Sequence, residues 1–205
     1  MSLPTIGVLI SGRGSNLQAL IDATKSGVLR AKIGLVLANK ADAKGLERAR
    51  LAGIEARWLD PRQFTSRDAY DFTLATELQG KYVSLVCLAG YMRLLSPVFL
   101  GAFRNAVLNI HPSLLPAFPG LDAQRQALEH GVRVSGATVH FVTPGLDDGP
   151  IVAQAAVAVE ADDTEATLSA RILAAEHALY PAAVQRVLDG GWRIDGRRVR
   201  WESPR

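Results

Sequence analysis

One cysteine in 205 residues, Cys87, leaves no partner for an internal disulfide and excludes a disulfide-stapled fold. It stands in the apolar run Val83–Leu88, where a thiol reads as buried filler rather than a nucleophile. Four scattered histidines and one cysteine give no metal-ligand spacing, so no metal is expected. No apolar run approaches the roughly 18 residues needed to cross a membrane. Met1–Thr5 has no basic stretch and Ile6–Ile10 is too short for the apolar core of a signal peptide. The expectation is a cytoplasmic protein with no membrane partner. Charge of one sign is also scarce. The net charge is +3, and the excess sits late in the chain at Arg193, Arg197, Arg198, Arg200 and Arg205. The remainder is close to neutral, which is no nucleic-acid signature. Repeats, low-complexity tracts and interdomain linkers are missing too.

What is present is alternation. Ile6–Ile10, Ile33–Leu37, Val83–Leu88 and Val107–Ile110 read as buried parallel strands. Leu17–Thr24, Ala43–Ala52 and Arg67–Leu78 have helical spacing. This order predicts an α/β fold, an open and mostly parallel twisted sheet with helices on both faces. Val134–Val142 and Ile151–Val159 then read as two longer strands joined by the polar loop Thr143–Pro150. A long helix is predicted over about Thr164–Leu188, with Thr164 as its N-cap. Asp195-Gly196 predicts a type I′ hairpin turn, with Trp192, Ile194, Val199 and Trp201 on one face and Arg193, Arg198 and Arg200 on the other. One domain is expected, with an N-terminal phosphate-binding half over about 1–105 and a catalytic half over about 106–205.

The first strand runs straight into Ser11-Gly12-Arg13-Gly14-Ser15-Asn16, and a helical pattern begins at Leu17. A glycine-rich strand-to-helix turn brings backbone N–H groups close to an anion, and the helix N-terminus adds unpaired donors. Ser15 and Asn16 carry side-chain donors. The dinucleotide pattern fails at Leu17, and no Gly-Lys-Ser/Thr follows. A monophosphate cradle and a plain tight turn both fit.

The strand Val107–Ile110 ends in Asn109-Ile110-His111-Pro112. Alternation puts Asn109 and His111 on one face, and Pro112 keeps His111 extended. Ligands of open α/β sheets gather beyond the carboxyl ends of strands. There, Asn109 can donate to a developing oxyanion, and His111 can carry a proton or, as imidazolium, stabilise the same charge. The bland alternative is that both satisfy loop carbonyls. A carboxylate from Leu146-Asp147-Asp148-Gly149-Pro150, brought near His111, would raise the imidazole pKa and orient the ring.

These segments, in this order, resemble the phosphoribosylglycinamide formyltransferases, a folate-dependent family of purine synthesis. The resemblance rests on Ile10–Leu17, Ala38-Asn39-Lys40-Ala41-Asp42-Ala43, Leu88-Ala89-Gly90-Tyr91-Met92-Arg93, Asn109–Pro116, Gly136–Val142 and Leu146–Pro150. It implies that Asn109, His111 and Asp147 are the catalytic trio. It implies that Gly14, Ser15 and Asn16 hold the substrate phosphate and that Glu176 meets the same substrate. Met92, Arg93, Leu94 and Leu95 would line the folate pocket, Thr143–Asp147 would cover the pteridine, and Arg67 would lie near the folate tail. The implied reaction moves the formyl group of 10-formyltetrahydrofolate to the amine of glycinamide ribonucleotide, in a monomer or a homodimer. The chain departs from the family at Asp122, where many relatives carry histidine. His140 matches a family position inside a strand, where a structural role is expected. A formyltetrahydrofolate hydrolase or a non-catalytic sugar-phosphate module is the alternative. A methionyl-tRNA formyltransferase would carry a further C-terminal domain.

Overall fold

Apolar β-branched runs seek a position covered on both faces, and the parallel strands of this chain find one. The computed structural model describes residues 2–202. Its elements are β1 (Thr5–Ile10), α1 (Ser15–Ser26), β2 (Lys32–Ala38), α2 (Gly45–Leu51), β3 (Ala56–Trp58), α3 (Arg67–Gln79), β4 (Leu85–Leu88), α4 (Pro97–Ala102), β5 (Val107–His111), α5 (Ala123–Glu129), β6 (Val134–Phe141), β7 (Ile151–Ala158), α6 (Glu165–Leu188), β8 (Trp192–Asp195) and β9 (Arg198–Trp201). The strands form one open sheet in the order β3-β2-β1-β4-β5-β6-β7-β9-β8. From β3 to β5 the neighbours are parallel, and β5–β6 and β6–β7 are antiparallel.

Alternation along each strand divides the core in two. Ile6, Val8 and Ile10 of β1 pack with Leu17, Leu20 and Ile21 of α1 and with Ile172 and Val184 of α6. Leu9 of β1 packs on the other face with Tyr70, Leu74 and Leu78 of α3 and Phe99 of α4. Helices therefore cover both faces, as the alternation predicts. No helix of the described residues is long and apolar enough to cross a membrane. Cys87 is fully buried, and burial pushes its thiol up to about 12. That leaves it inert, as filler should be.

Thr164 caps α6 as predicted: its hydroxyl accepts from Thr167 N–H at 3.2 Å. The C-terminal hairpin differs in detail. Asp195 pairs with Arg198, so the two turn residues are Gly196 and Arg197 rather than Asp195 and Gly196. Of these only Gly196 has positive φ, whereas type I′ needs both. The faces survive this shift: Trp192, Ile194, Val199 and Trp201 are half-buried, and Arg193, Arg198 and Arg200 are exposed. Arg205 lies outside the described residues. β4 starts at Leu85 rather than Val83, because Val83 N–H first closes a turn onto Leu78 O after α3.

Parallel packing of β1, β4 and β5 sends three loops out at one edge, residues 11–14, 89–96 and 112–122. The hydrogen bond from Ser11 N–H to Gly90 O, at 3.1 Å, already joins the first two.

Candidate active site

The loop after β1 is a backbone structure. Gly14 takes φ +72° at the N-cap of α1, and no side chain caps the helix. Its first N–H groups are left for an outside acceptor. Gly14 lies so close to α2 that a Cβ on it would stand 2.5 Å from the Cα of Gly45. Ser15 opens the helix and lines a hollow of about 620 Å³ with Gln18, Arg48 and His177. Asn16 commits one of its two amide hydrogens to α6. Its Nδ2 donates to Glu176 Oε2 at 2.9 Å, and its Oδ1 is buried without a partner. Glu176 is buried on α6, and burial lifts its pKa to about 7 against the pull of the Asn16 bond.

A cavity of about 600 Å³ opens beside β5. One wall is Met92, Arg93, Leu94 and Leu95, another is Thr143, Gly145, Leu146 and Asp147, and Asn109, His111 and His140 reach it too. Met92, Leu94 and Leu146 are exposed there, an unusual disposition for large apolar side chains around a concave surface. The Thr143 hydroxyl donates to Asp148 and ties the second wall to itself. Arg67 is exposed at the start of α3 and is not among the lining residues.

The trio that the family resemblance implies comes together in the structure. His111 Nδ1 stands 3.4 Å from Asp147 Oδ2, both largely buried. Asp147 reaches this point at φ +49°, and Gly120 N–H donates to its Oδ2 at 2.8 Å. His111 Nε2 lies 2.8 Å from Phe118 O. A carbonyl can only accept, so Nε2 carries the hydrogen and the lone pair of the neutral ring is on Nδ1, facing the carboxylate. The loop that supplies Phe118 O and Gly120 N–H turns sharply, with positive φ at Phe118, Gly120 and Asp122. Asp122 itself pairs with Arg125 at 2.6 Å.

His140, for which a structural role is expected, joins the cluster through a strand pairing that the sequence does not show. The β5–β6 ladder sets it directly opposite Asn109. Its Nδ1 is 3.0 Å from Phe141 O, so Nδ1 carries the hydrogen and Nε2 accepts from Asn109 Nδ2 at 3.2 Å. Asp147 Oδ1 lies 3.6 Å from the same Nε2. His140 thus belongs to the cluster, and the signal for it was the register of an antiparallel pair, which is non-local.

The electrostatics correct one expectation. Burial is the largest influence on His111 and lowers its pKa; the Phe118 carbonyl and the Asp147 charge pull upward without overcoming it. The ring is held neutral more firmly than a free imidazole, not less. Asp147 ends below the ordinary carboxylate range. Burial pushes it up, but the neighbouring imidazoles of His140 and His111 and the N–H donor of Gly120 outweigh that push. The cluster is therefore an ionised carboxylate beside a neutral imidazole with its basic nitrogen toward it, and an amide whose orientation is fixed. Such a group can shuttle one proton and stabilise one negative charge.

Comparison with known proteins gives a consistent result. Residues 5–184 match the family model described as formyl transferase. The phosphoribosylglycinamide formyltransferase of Escherichia coli K12 is 48% identical over 202 residues, covering 95% of each chain. The human trifunctional purine biosynthetic protein adenosine-3 is 48% identical over 185 residues, which is 90% of this chain and 18% of that one. Among solved structures, glycinamide ribonucleotide transformylase 1 from Symbiobacterium toebii superposes with a TM-score of 0.96 at 56% identity, over 98% of this chain and 95% of that one.

Proposed function

The chain belongs to the formyl transferase family, and from that premise we propose how its residues share the work of its reaction, the transfer of the formyl group of 10-formyltetrahydrofolate to the amine of glycinamide ribonucleotide in purine biosynthesis. The observation that carries the proposal is the meeting of Asn109, His111, His140 and Asp147 at the edge of one cavity.

The cavity fits the donor. Exposed Met92, Leu94 and Leu146 offer apolar contact to a flat heteroaromatic ring, beside the polar edge of Thr143 and Asp147. Arg67, exposed on α3, is assigned to the anionic tail. Gly14, Ser15 and Asn16 are assigned to the phosphate of the ribonucleotide, through the uncapped N–H groups of α1. Glu176 is assigned to the same substrate. The phosphate half, about 1–105, and the catalytic half, about 106–205, exchange one contribution each: Met92–Leu95 serve the donor, and Glu176 serves the ribonucleotide.

Bound folate supplies an electrophilic formyl carbon, and the ribonucleotide supplies the amine that attacks it. A C–N bond forms, the bond to the folate nitrogen breaks, and one proton passes from the first nitrogen to the second. Asn109 spends one amide hydrogen on His140, which fixes the flip of the amide and leaves the other hydrogen for the oxygen that gains charge. His111 is neutral with its lone pair on Nδ1, and the amine proton reaches that nitrogen through water beside Asp147. Asp147 stays ionised and stabilises the resulting imidazolium at 3.4 Å. His111 then returns the proton to the leaving nitrogen. Holding both reactants in place lowers the barrier further.

Working on two small molecules, the protein is assigned to the cytoplasm, as a monomer or homodimer, with no nucleic-acid partner. The test is formyl transfer with purified protein, 10-formyltetrahydrofolate and glycinamide ribonucleotide. Formylated ribonucleotide should appear in step with tetrahydrofolate. Equal folate consumption without the ribonucleotide would point to a hydrolase, and binding of both without turnover would point to a sugar-phosphate module.

A further inference from the structure

Residues 89–96 leave β4, skirt the cavity and enter α4 without regular structure. Such a stretch has few ladder bonds to hold it, yet it carries Met92, Arg93, Leu94 and Leu95 into the cavity wall. Met92 and Leu94 are 62% and 53% exposed, so their own packing cannot fix the backbone that carries them. Hydrogen bonds hold the stretch at two points. At one end, Met92 N–H donates to Ser11 Oγ at 2.7 Å, beside the Ser11–Gly90 backbone bond. At the other, Ser96 N–H donates to Asp71 Oδ2 at 2.6 Å. Both anchors are buried, Ser11 at 5% and Asp71 at 1% exposure.

Asp71 is an expensive anchor. It sits on α3 among Tyr70, Leu74 and Ala75, where an apolar residue would pack without desolvating a charge. Burial raises its pKa, against the Ser96 bond and the charges of Arg93 and Arg67. The loop gains a strong acceptor at the point where it turns into α4, since a hydrogen bond to a charged group is about twice as strong as a neutral one. Ser11 is equally out of place by its neighbours. It belongs to the phosphate loop, but its hydroxyl points the other way and receives the folate wall.

We propose that Ser11 and Asp71 are positioning residues for the formyl donor: they set where the Met92–Leu95 backbone lies against β5, and so the affinity for the folate ring. The proposal rests on the assignment of Met92–Leu95 to the folate. It makes an unexpected demand of Ser11, namely that a residue of the phosphate loop should matter more to the folate than to the phosphate.

The test compares wild type with Ser11→Ala, Asp71→Asn and Asp71→Ala. The dissociation constants of a folate analogue lacking the formyl group and of glycinamide ribonucleotide are measured by calorimetry, with kcat, both KM values and Tm on the same samples. In Ser11→Ala and Asp71→Ala, folate binding should weaken about tenfold, with ribonucleotide binding within about twofold and kcat at saturation within about threefold. Asp71→Asn keeps an acceptor and should fall between wild type and Asp71→Ala. Ser11→Ala and Asp71→Asn decide the matter if Asp71→Ala does not fold. Equal weakening of both ligands, or a lower Tm with folate binding unchanged, overturns the proposal. A wild-type protein that fails to bind the folate analogue would instead remove the functional reading beneath it.

Discussion

At the loop after β1, the groups offered to a ligand are backbone N–H donors at an uncapped helix start, reached through the positive φ of Gly14. At the end of β5, they are four side chains drawn from two antiparallel strands and one loop. The first site is local, six consecutive residues that any reader of the sequence can point to. The second spans 39 residues from Asn109 to Asp147 and exists only when the β5–β6 register is right. A backbone site is indifferent to most side-chain changes but sensitive to an added charge. A side-chain site fails with any one of its members. The contrast can be tested by its consequences.

The largest effects belong to the side-chain site. Asn109→Ala and His111→Ala should each lower kcat by about 10²–10³, the usual cost of one lost oxyanion donor or proton carrier. The double variant should be little worse than the poorer single, because the residues act as a unit. All three should still bind a folate analogue and melt near the wild-type temperature. Normal turnover in His111→Ala would end its catalytic assignment.

Asp147→Asn comes next, with kcat reduced at least about a hundredfold. Its pH dependence has a definite sign. Burial already holds the His111 pKa low, and the Asp147 charge pulls it up. Removing that charge lowers it further, so the limb of the pH–rate profile that reports His111 must move toward acid. A limb that stays still, or moves toward alkali, would separate Asp147 from His111.

The backbone site should respond more selectively. Ser15→Asp adds a negative charge where the phosphate is assigned and should weaken ribonucleotide binding by tenfold or more, on the order of one like-charge contact near a protein surface. Folate binding should stay within about twofold in the same calorimetric experiment. Equal loss for both ligands would make the loop structural.

The smallest effect sharpens the link between the two regions. Glu176 holds its proton up to about 7 in the fold, whereas the ordinary value is 4.5. The unfolded chain ionises first, so stability falls as pH rises through that window and is level above it. Glu176→Gln lacks this slope. Its Tm advantage over wild type should grow by about 5 °C between pH 5 and pH 8, although ribonucleotide binding weakens. A Tm difference that does not change with pH would mean Glu176 is not buried as described.

Much of this was legible before the structure. Strands of apolar β-branched residues and the Thr164 cap depend on near neighbours, and they appear where periodicity puts them. The meeting of Asn109, His111 and Asp147 followed from the family resemblance, not from spacing. What stayed hidden is non-local. His140 looked structural because its partner, Asn109, is reached across the β5–β6 ladder. The direction of the His111 shift was hidden because the burying loop folds back through left-handed residues at Phe118, Gly120 and Asp122 that no pattern announces. β3, α4 and α5 were missed because three to seven residues are too few to display a period. The hairpin turn slipped by one residue because Gly196 satisfies either reading locally, and only the pairing of Asp195 with Arg198 decides it.

Gly14 and Gly45 press backbone against backbone, and this bears on how the chain can vary. A methyl on Gly14 meets the Cα of Gly45 at 2.5 Å, and a methyl on Gly45 meets Ile10 Cδ1 at 2.5 Å with the Cα of Gly14 at 3.2 Å. For Gly14 the obstacle is main chain, so no compensating change at another position can remove it, while at Gly45 the tightest contact is the end of the Ile10 side chain, with main chain a little farther off. Drift through intermediate sequences is closed at the first position and narrow at the second. A library randomised over residues 12–15 should return glycine at position 14 in every active clone, while the exposed Arg13 beside it accepts nearly any substitution.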